Sequence, residues 1–141
     1  MEIFRTRFLV AWWLSSAVMM AVSYLWHGVL LNDLLFIPQP AELFYGLAVL
    51  TYLLIGFVLV FVYNYLSMGI GLRMKSSFMG VALGFFIYLI AFVLGVSFTG
   101  GETAHVVIDF LWQMIEQGIG GSVVGFVYLM ARRHDKVADA G

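Results

Sequence analysis

The last apolar stretch of the chain carries polar side chains at an unusual density between residues 105 and 117. His105, Asp109, Gln113, Glu116 and Gln117 all fall there, in a chain that is 63% hydrophobic. Imidazole, carboxylate and amide groups in such a setting are typical of proton or cation binding, of metal ligation, or of hydrogen bonding between helices. Each of these uses requires the side chains to point the same way.

Helical spacing gives the five side chains that common direction. At about 100° per residue they form one stripe roughly 120° wide, while Val107, Leu111, Met114 and Ile115 occupy the rest of the circumference. Polar groups exposed to hydrocarbon are disfavoured. We therefore expect the stripe to face a bundle interior, a water-filled cavity or another subunit.

The composition identifies the class of protein that must position this stripe. Charged residues make up 11% of the chain, against about 25% in soluble domains. The chain has 141 residues, no cysteine and a net charge of −1. We expect a single membrane domain over residues 1–141, without thiol chemistry and without nucleic acid as a partner.

Four stretches are long enough to cross a bilayer, which takes roughly 20 apolar residues. They cover residues 8–31, 43–67, 77–98 and 104–131, and a polar tail follows at 134–141. Lipid-exposed segments must satisfy their own backbone hydrogen bonds, so these spans are helices. The sequence predicts an all-α integral membrane four-helix bundle, built as two antiparallel hairpins.

The basic residues indicate the orientation of this bundle. All seven lie at the N-terminus, in the second loop or at the C-terminus: Arg5, Arg7, Arg73, Lys75, Arg132, Arg133 and Lys136. The first and third loops carry acidic residues instead. The positive-inside rule then places both termini in the cytoplasm of a multi-pass inner-membrane protein. The first stretch is too long for a signal-peptide core, and we read it as a retained span.

Glu116 lacks a fixed counter-charge, because no Lys or Arg lies inside any predicted span. It lies about 16 Å beyond His105 along a helix, near the bilayer midplane. An ionised carboxylate there must be protonated, hydrated, hydrogen-bonded, or balanced by a group outside the chain. The candidate hydrogen-bond partners are Tyr52, Tyr63, Asn64 and Gln113.

Two functions fit these residues. The first is a non-enzymatic assembly role, in which Asp109, Gln113, Glu116 and Gln117 bond helices or subunits together in a membrane complex or homo-oligomer. The alternative is binding or translocation of a proton, a cation or a small cationic solute between Asp109 and Glu116. Ser23, His27 and Asp109 could be assembled into a hydrolase triad, but no nucleophile elbow or oxyanion motif accompanies them, so we expect no enzyme.

Histidine ligation is a weaker possibility. His27 and His105 lie in the same leaflet of the predicted bundle, so they could ligate haem or chlorophyll. With Asp109 they have ligand types suited to a metal. Their spacing matches no ligand motif, however, and we predict no cofactor.

Small residues suggest where the helices approach most closely. Gly80, Gly84 and Gly95 lie along one side of the third span, and Gly121 with Gly125 forms a small-xxx-small pair in the fourth. Such pairs let transmembrane backbones pack closely. We expect these glycines at helix contacts.

Polar faces occur on the first two spans as well. Ser16, Ser23 and His27 share a face of the first span, and Tyr45, Tyr52 and Tyr63 share a face of the second. Phenol and serine hydroxyls could therefore reach the interior.

The segments "YLWHGVLLNDL" and "IDFLWQMIEQGIGGSVVGFVY" resemble those of small four-helix bacterial inner-membrane proteins of unknown function. This resemblance covers about a third of the chain and implies a bacterial inner-membrane setting. Small multidrug transporters are similar in size, helix number and possession of a membrane-embedded Glu. Theirs lies in the first helix, whereas the first span here has no acid, and no functional residue is carried over.

Overall fold

The computed structural model describes residues 6–31, 40–66, 72–93 and 103–138, and every regular element in them is helical. The elements are α1 (Thr6–Tyr24), a π-helical segment (Leu25–Leu30), α2 (Ala41–Tyr65), α3 (Leu72–Val93) and α4 (Thr103–Ala138). The expectation of an all-α protein with four long apolar helices is confirmed. Helix α4 continues to Ala138, well beyond the predicted span.

All four helices have the length and composition needed to cross a membrane. Their outer surface is strongly apolar, with side chains such as Leu30, Leu54 and Ile90 exposed. Burying one such side chain is worth about 1.5–3 kcal/mol relative to leaving it in water. A surface of this kind is suited to lipid.

Helices α3 and α4 make the most extensive contact in the structure, and glycines make it possible. A Cβ atom added at Gly80 would overlap the backbone carbonyl oxygen of Gln117, and one at Gly84 would lie 2.6 Å from that of Gln113. A Cβ at Gly121 would overlap the carbonyl oxygen of Ser76. Only residues without a side chain permit this backbone approach.

Hydrogen bonds extend the same contact along both helices. The Tyr88 hydroxyl donates to the carbonyl oxygen of Val106 at 2.7 Å, and the hydroxyls of Ser77 and Ser122 lie 2.9 Å apart. Residue numbers rise along α4 as they fall along α3, as in an antiparallel helix pair.

Helix α1 packs against both α4 and α2. Its Met19 sulfur occupies the space that a Cβ at Gly120 of α4 would need. Toward α2, the Trp12 indole nitrogen donates to the carbonyl oxygen of Leu53 at 2.7 Å, and the Phe8 and Phe57 rings meet edge to face. Helix α1 thus links α2 to the α3–α4 pair.

Helix α2 makes far less contact with α3 and α4 than with α1. Space consequently remains between α2 and the α3–α4 pair, and it forms the cavity described below. Of the other predicted packing glycines, Gly125 is buried and Gly95 lies outside the described residues.

Candidate functional site

Glu116 is almost completely buried, with 1% of its surface exposed, and its neighbour Gln117 is fully buried. The Gln117 amide nitrogen donates to Glu116 Oε1 at 3.3 Å. Both residues are on the face of α4 that helical spacing assigns to the polar stripe. The close contact of α3 with the backbone of Gln113 and Gln117 fixes the rotation of α4 and so helps to direct Glu116 toward α1 and α2.

Two hydroxyl groups from other helices hydrogen-bond to the Glu116 carboxylate. They belong to Ser23 of α1 and Tyr52 of α2, which are also hydrogen-bonded to each other. Polar groups from three helices therefore converge on one carboxylate. Such bonds are typically worth about 0.6 kcal/mol each in a membrane and reach about 1.7.

The π-helical segment brings a base and an indole to the same place. The Leu31 amide donates to the carbonyl oxygen of Trp26 at 2.9 Å, five residues back, which is the wide hydrogen bond of a π-helix. His27 lies in this segment, close enough for its charge to act on Glu116. Among the described residues, it is the positively chargeable group whose charge acts on the carboxylate.

Two indole rings close one side of this region. Trp26 stacks on Trp112 of α4 with ring centroids 4.0 Å apart and planes 11° from parallel. The Trp112 nitrogen lies near the Glu116 carboxylate without the geometry of a hydrogen bond. Within the described chain, both indole nitrogens and Gln117 Oε1 are buried without a hydrogen-bond partner.

A cavity of about 690 Å³ lies next to this cluster. Side chains from all four helices line it, most of them apolar or aromatic. The wall residues that carry polar groups are Ser23, Tyr24, His27, Tyr45, Thr51, Tyr52 and Gln113. Glu116 itself is one layer behind the wall, and its hydroxyl partners separate it from the space.

Three of the five wall hydroxyls, those of Ser23, Thr51 and Tyr52, have their protons directed away from the cavity. Thr51 donates to the carbonyl oxygen of Leu47 at 2.8 Å. Tyr52 and Ser23 bond to Glu116, which when ionised can only accept. The oxygen lone pairs that remain make this part of the wall a set of hydrogen-bond acceptors.

No protein-family model, curated protein or solved structure matches this chain. The function must therefore be argued from the site itself.

The structure does not bring Asp109 to Glu116. Asp109 is exposed, and the described wall of the cavity does not include it. The first turns of α4 pack against α3 through Tyr88 and Phe110, whereas α1 and α2 meet α4 further along. Glu116 lies beside the cavity and Asp109 is exposed, so the prediction that a solute lies between the two carboxylates stays a prediction.

Asn64 and Tyr63 also lie away from Glu116. Asn64 donates to the Tyr128 hydroxyl at 2.7 Å and to the carbonyl oxygen of Val60 at 2.8 Å. The rings of Tyr63 and Tyr128 have centroids 4.9 Å apart, and the Lys75 ammonium lies 4.7 Å from the Tyr63 ring centroid. These residues form a separate polar cluster at the C-terminal end of α2, so of the predicted partners Tyr52 reaches Glu116 directly and Gln113 lies on the cavity wall.

The proposed histidine ligands are not seen together. His27 lies on the cavity wall, whereas the side chain of His105 is outside the described part of the structure. In the part that is described, no three His, Asp or Glu side chains form a cluster that could hold a metal ion.

Sequence reasoning did not select Ser23, Thr51, Trp26 or Trp112 as site residues. Ser23 could have been chosen, because it shares the predicted face of α1 with His27. The indole stack has no signal in the spacing, since it depends on the π-helical segment and on how α1 crosses α4.

Proposed function

We propose that this protein binds a small organic solute between its membrane-spanning helices, in the cavity beside Glu116. The observation that carries the proposal is that Ser23, His27 and Tyr52 both line the cavity and surround the buried carboxylate. A volume of about 690 Å³ suits a small organic molecule, because ligand pockets are mostly apolar spaces of about 300–1,000 Å³ with a few polar groups.

The proposed setting is a bacterial inner membrane, with the helices arranged as two antiparallel hairpins and both termini in the cytoplasm. The positions of the basic residues support this orientation. The Lys75 ammonium lies over the Tyr63 ring, and the charge of Arg132 is close enough to interact with the Tyr63 hydroxyl. The charge of Arg7 interacts in the same way with Tyr128, whose ring contacts that of Tyr63. Basic groups from α1, α3 and α4 therefore gather at one end of the structure. That end is the cytoplasmic one by the positive-inside rule.

A cavity-filling variant tests solute binding. Ala48 lies on the cavity wall, whereas Gly46, on the same helix, has nothing within 4 Å of an added Cβ. Ala48→Trp should therefore occupy the cavity, and Gly46→Trp should add the same ring outside it. The probes are four naphthalenes that differ in their polar group: 2-naphthylmethylammonium, its N,N,N-trimethyl derivative, 2-naphthylmethanol and 2-naphthoate.

Binding to the full-length protein in detergent is measured by equilibrium dialysis, with protein-free micelles as the blank. The proposal expects at least one probe to bind the wild type and Gly46→Trp, with binding to Ala48→Trp weaker by about tenfold or more. Equal binding of every probe to the two tryptophan variants would overturn it.

Assembly of the helices is a second candidate function for the same carboxylate. It is favoured by the convergence of α1, α2 and α4 on Glu116, since α2 makes little other contact with α4. The same hydrogen bonding could join helices of different subunits, in a homo-oligomer or in a complex with another membrane protein.

Neutralising each α4 carboxylate in turn separates the two candidates. If Glu116→Gln unfolds or dissociates at lower denaturant than Asp109→Asn while solute binding is retained, assembly is the role of Glu116. If stability and oligomer size are unchanged and binding is lost, the carboxylate serves the solute. Neither candidate involves a chemical step, and we propose no catalysis.

A further inference from the structure

We propose that the solute is an organic ammonium compound: an apolar body carrying a protonated amine whose N–H groups bond to the wall oxygens in front of Glu116. This inference rests on the proposed solute-binding function and narrows it to one chemical class.

The hydroxyl groups of the wall define the first requirement. Each hydroxyl has one proton and two lone pairs. The Thr51 proton goes to Leu47. With Glu116 ionised, the Tyr52 proton goes to Glu116, and the Ser23 proton goes to Glu116 or to the Tyr52 oxygen. A ligand at this part of the wall therefore meets acceptors and must supply the donors.

Charge defines the second requirement. The Glu116 carboxyl group lies directly behind Ser23 and Tyr52, and no Lys or Arg is found on the described wall. When Glu116 is ionised, its negative charge therefore has no fixed positive charge beside it on this wall. Donor groups that carry positive charge form the stronger hydrogen bonds to such a wall. His27 is the ionisable base on the wall. All four probes are compared at one pH, pH 8.

Size and aromatic character define the third requirement. A space of about 690 Å³ is far larger than a bare metal ion or a proton needs. Phe44, Tyr24 and Tyr45 line it beside Tyr52. Aromatic faces attract organic cations and also pack against apolar bodies. The occupant is thus a cation with a substantial carbon skeleton.

The four naphthalene probes share one ring system, so they isolate the polar group. We expect 2-naphthylmethylammonium to bind the wild-type protein at least about tenfold more tightly than 2-naphthylmethanol, and to outcompete 2-naphthoate. One charge-assisted hydrogen bond is enough for a factor of this size. The trimethyl derivative keeps the charge without an N–H, so it should bind more weakly than the primary ammonium.

Two variants locate the effect. Glu116→Gln should reduce binding of the ammonium probe about tenfold and leave 2-naphthylmethanol nearly unchanged. Asp109→Asn removes an exposed carboxylate from the same helix and should leave both unchanged. Should Glu116→Gln fail to fold, the order of the four probes on the wild-type protein still decides the question.

The outcomes distinguish this inference from the proposed function. If the alcohol or the carboxylate binds as tightly as the ammonium, and Ala48→Trp blocks it, the cavity binds solutes but the ammonium class is wrong. If the trimethyl derivative binds as tightly as the primary ammonium, the proposed hydrogen bonds from N–H groups to the wall oxygens are wrong. If Ala48→Trp affects no probe, solute binding itself fails.

Discussion

The Tyr52 hydroxyl of α2 is hydrogen-bonded to the Glu116 carboxylate of α4, at a point where these two helices make little other contact. This bond joins a helix at the edge of the bundle to the one at its centre. It also sets the direction of the Tyr52 proton at the cavity wall. The interaction therefore contributes both to stability and to the chemistry of the site.

A double-mutant cycle measures this interaction. Tyr52→Phe and Glu116→Leu should each destabilise the protein, and the pair should show a coupling energy of about 0.5–1.5 kcal/mol. Free energies of unfolding in mixed micelles give the cycle. Tyr45→Phe serves as the control for Tyr52→Phe, because Tyr45 is an exposed tyrosine of the same helix. Additive effects of Tyr52→Phe and Glu116→Leu would contradict the assignment.

The glycines of α3 make a second prediction. Gly80→Ala places a methyl group against the backbone carbonyl of Gln117, so α3 and α4 must separate. Forced overpacking of this kind costs about 1–3 kcal/mol. Gly46→Ala adds the same methyl group to open space and should be neutral or slightly stabilising. Unfolding free energies compare the two, and equal effects would show that the close α3–α4 contact does not matter for stability.

The indole nitrogens of Trp12 and Trp26 give a third prediction. Trp12 donates to Leu53 at 2.7 Å, whereas Trp26 has no partner for its buried nitrogen among the described residues. Trp12→Phe loses a hydrogen bond and leaves an unpaired carbonyl, but Trp26→Phe removes an unsatisfied donor that costs about 1–3 kcal/mol. We expect Trp12→Phe to be the more destabilising by about 1 kcal/mol or more, measured by unfolding. A larger loss for Trp26→Phe would mean that its nitrogen is bonded in the folded protein.

Helical periodicity predicts part of the site, because the direction of a side chain around its own helix depends only on residue spacing within that helix. Glu116 and Gln117 lie on the face of α4 that spacing marks as polar, and both are buried. Asp109 lies on the same face but is exposed, because burial also depends on where α1 and α2 meet α4. The position at which these helices cross is set by their packing, and it cannot be predicted from residue spacing within one helix.

The partners of Glu116 show the same limit. Tyr52 and Tyr63 share a face of α2 by spacing, but Tyr52 bonds to Glu116 while Tyr63 packs on Tyr128. Which tyrosine meets the carboxylate is set by the relative shift of two helices along their axes. The π-helical segment is likewise absent from any periodic pattern, yet it positions Trp26 and His27.

Lys75 supplies a fourth prediction. Its ammonium donates to the carbonyl oxygen of Tyr63 at 3.0 Å in the last turn of α2 and lies over the Tyr63 ring. A cation at a helix C-terminus contributes about 0.3–1 kcal/mol, and a cation–π contact at an exposed site about 0.5–1. Lys75→Met should lower the unfolding free energy by about 1–2 kcal/mol. Arg133→Met removes an exposed basic residue and should cost much less. If Lys75→Met and Arg133→Met lower the unfolding free energy equally, the effect comes from the change in net charge and not from the contacts of Lys75.

The absence of cysteine from the sequence allows the orientation to be tested with single thiols. Glu42 lies in the first turn of α2, and Asp135 near the end of α4, so Glu42→Cys and Asp135→Cys replace one acid each at opposite ends of the proposed bundle. With both termini in the cytoplasm, a membrane-impermeant maleimide applied to intact inner-membrane spheroplasts should label Glu42→Cys and spare Asp135→Cys. Permeabilised cells control for thiol reactivity, since both variants should then be labelled. Labelling of Asp135→Cys alone in intact spheroplasts would invert the orientation, and with it the assignment of the basic cluster around Tyr63 to the cytoplasmic side.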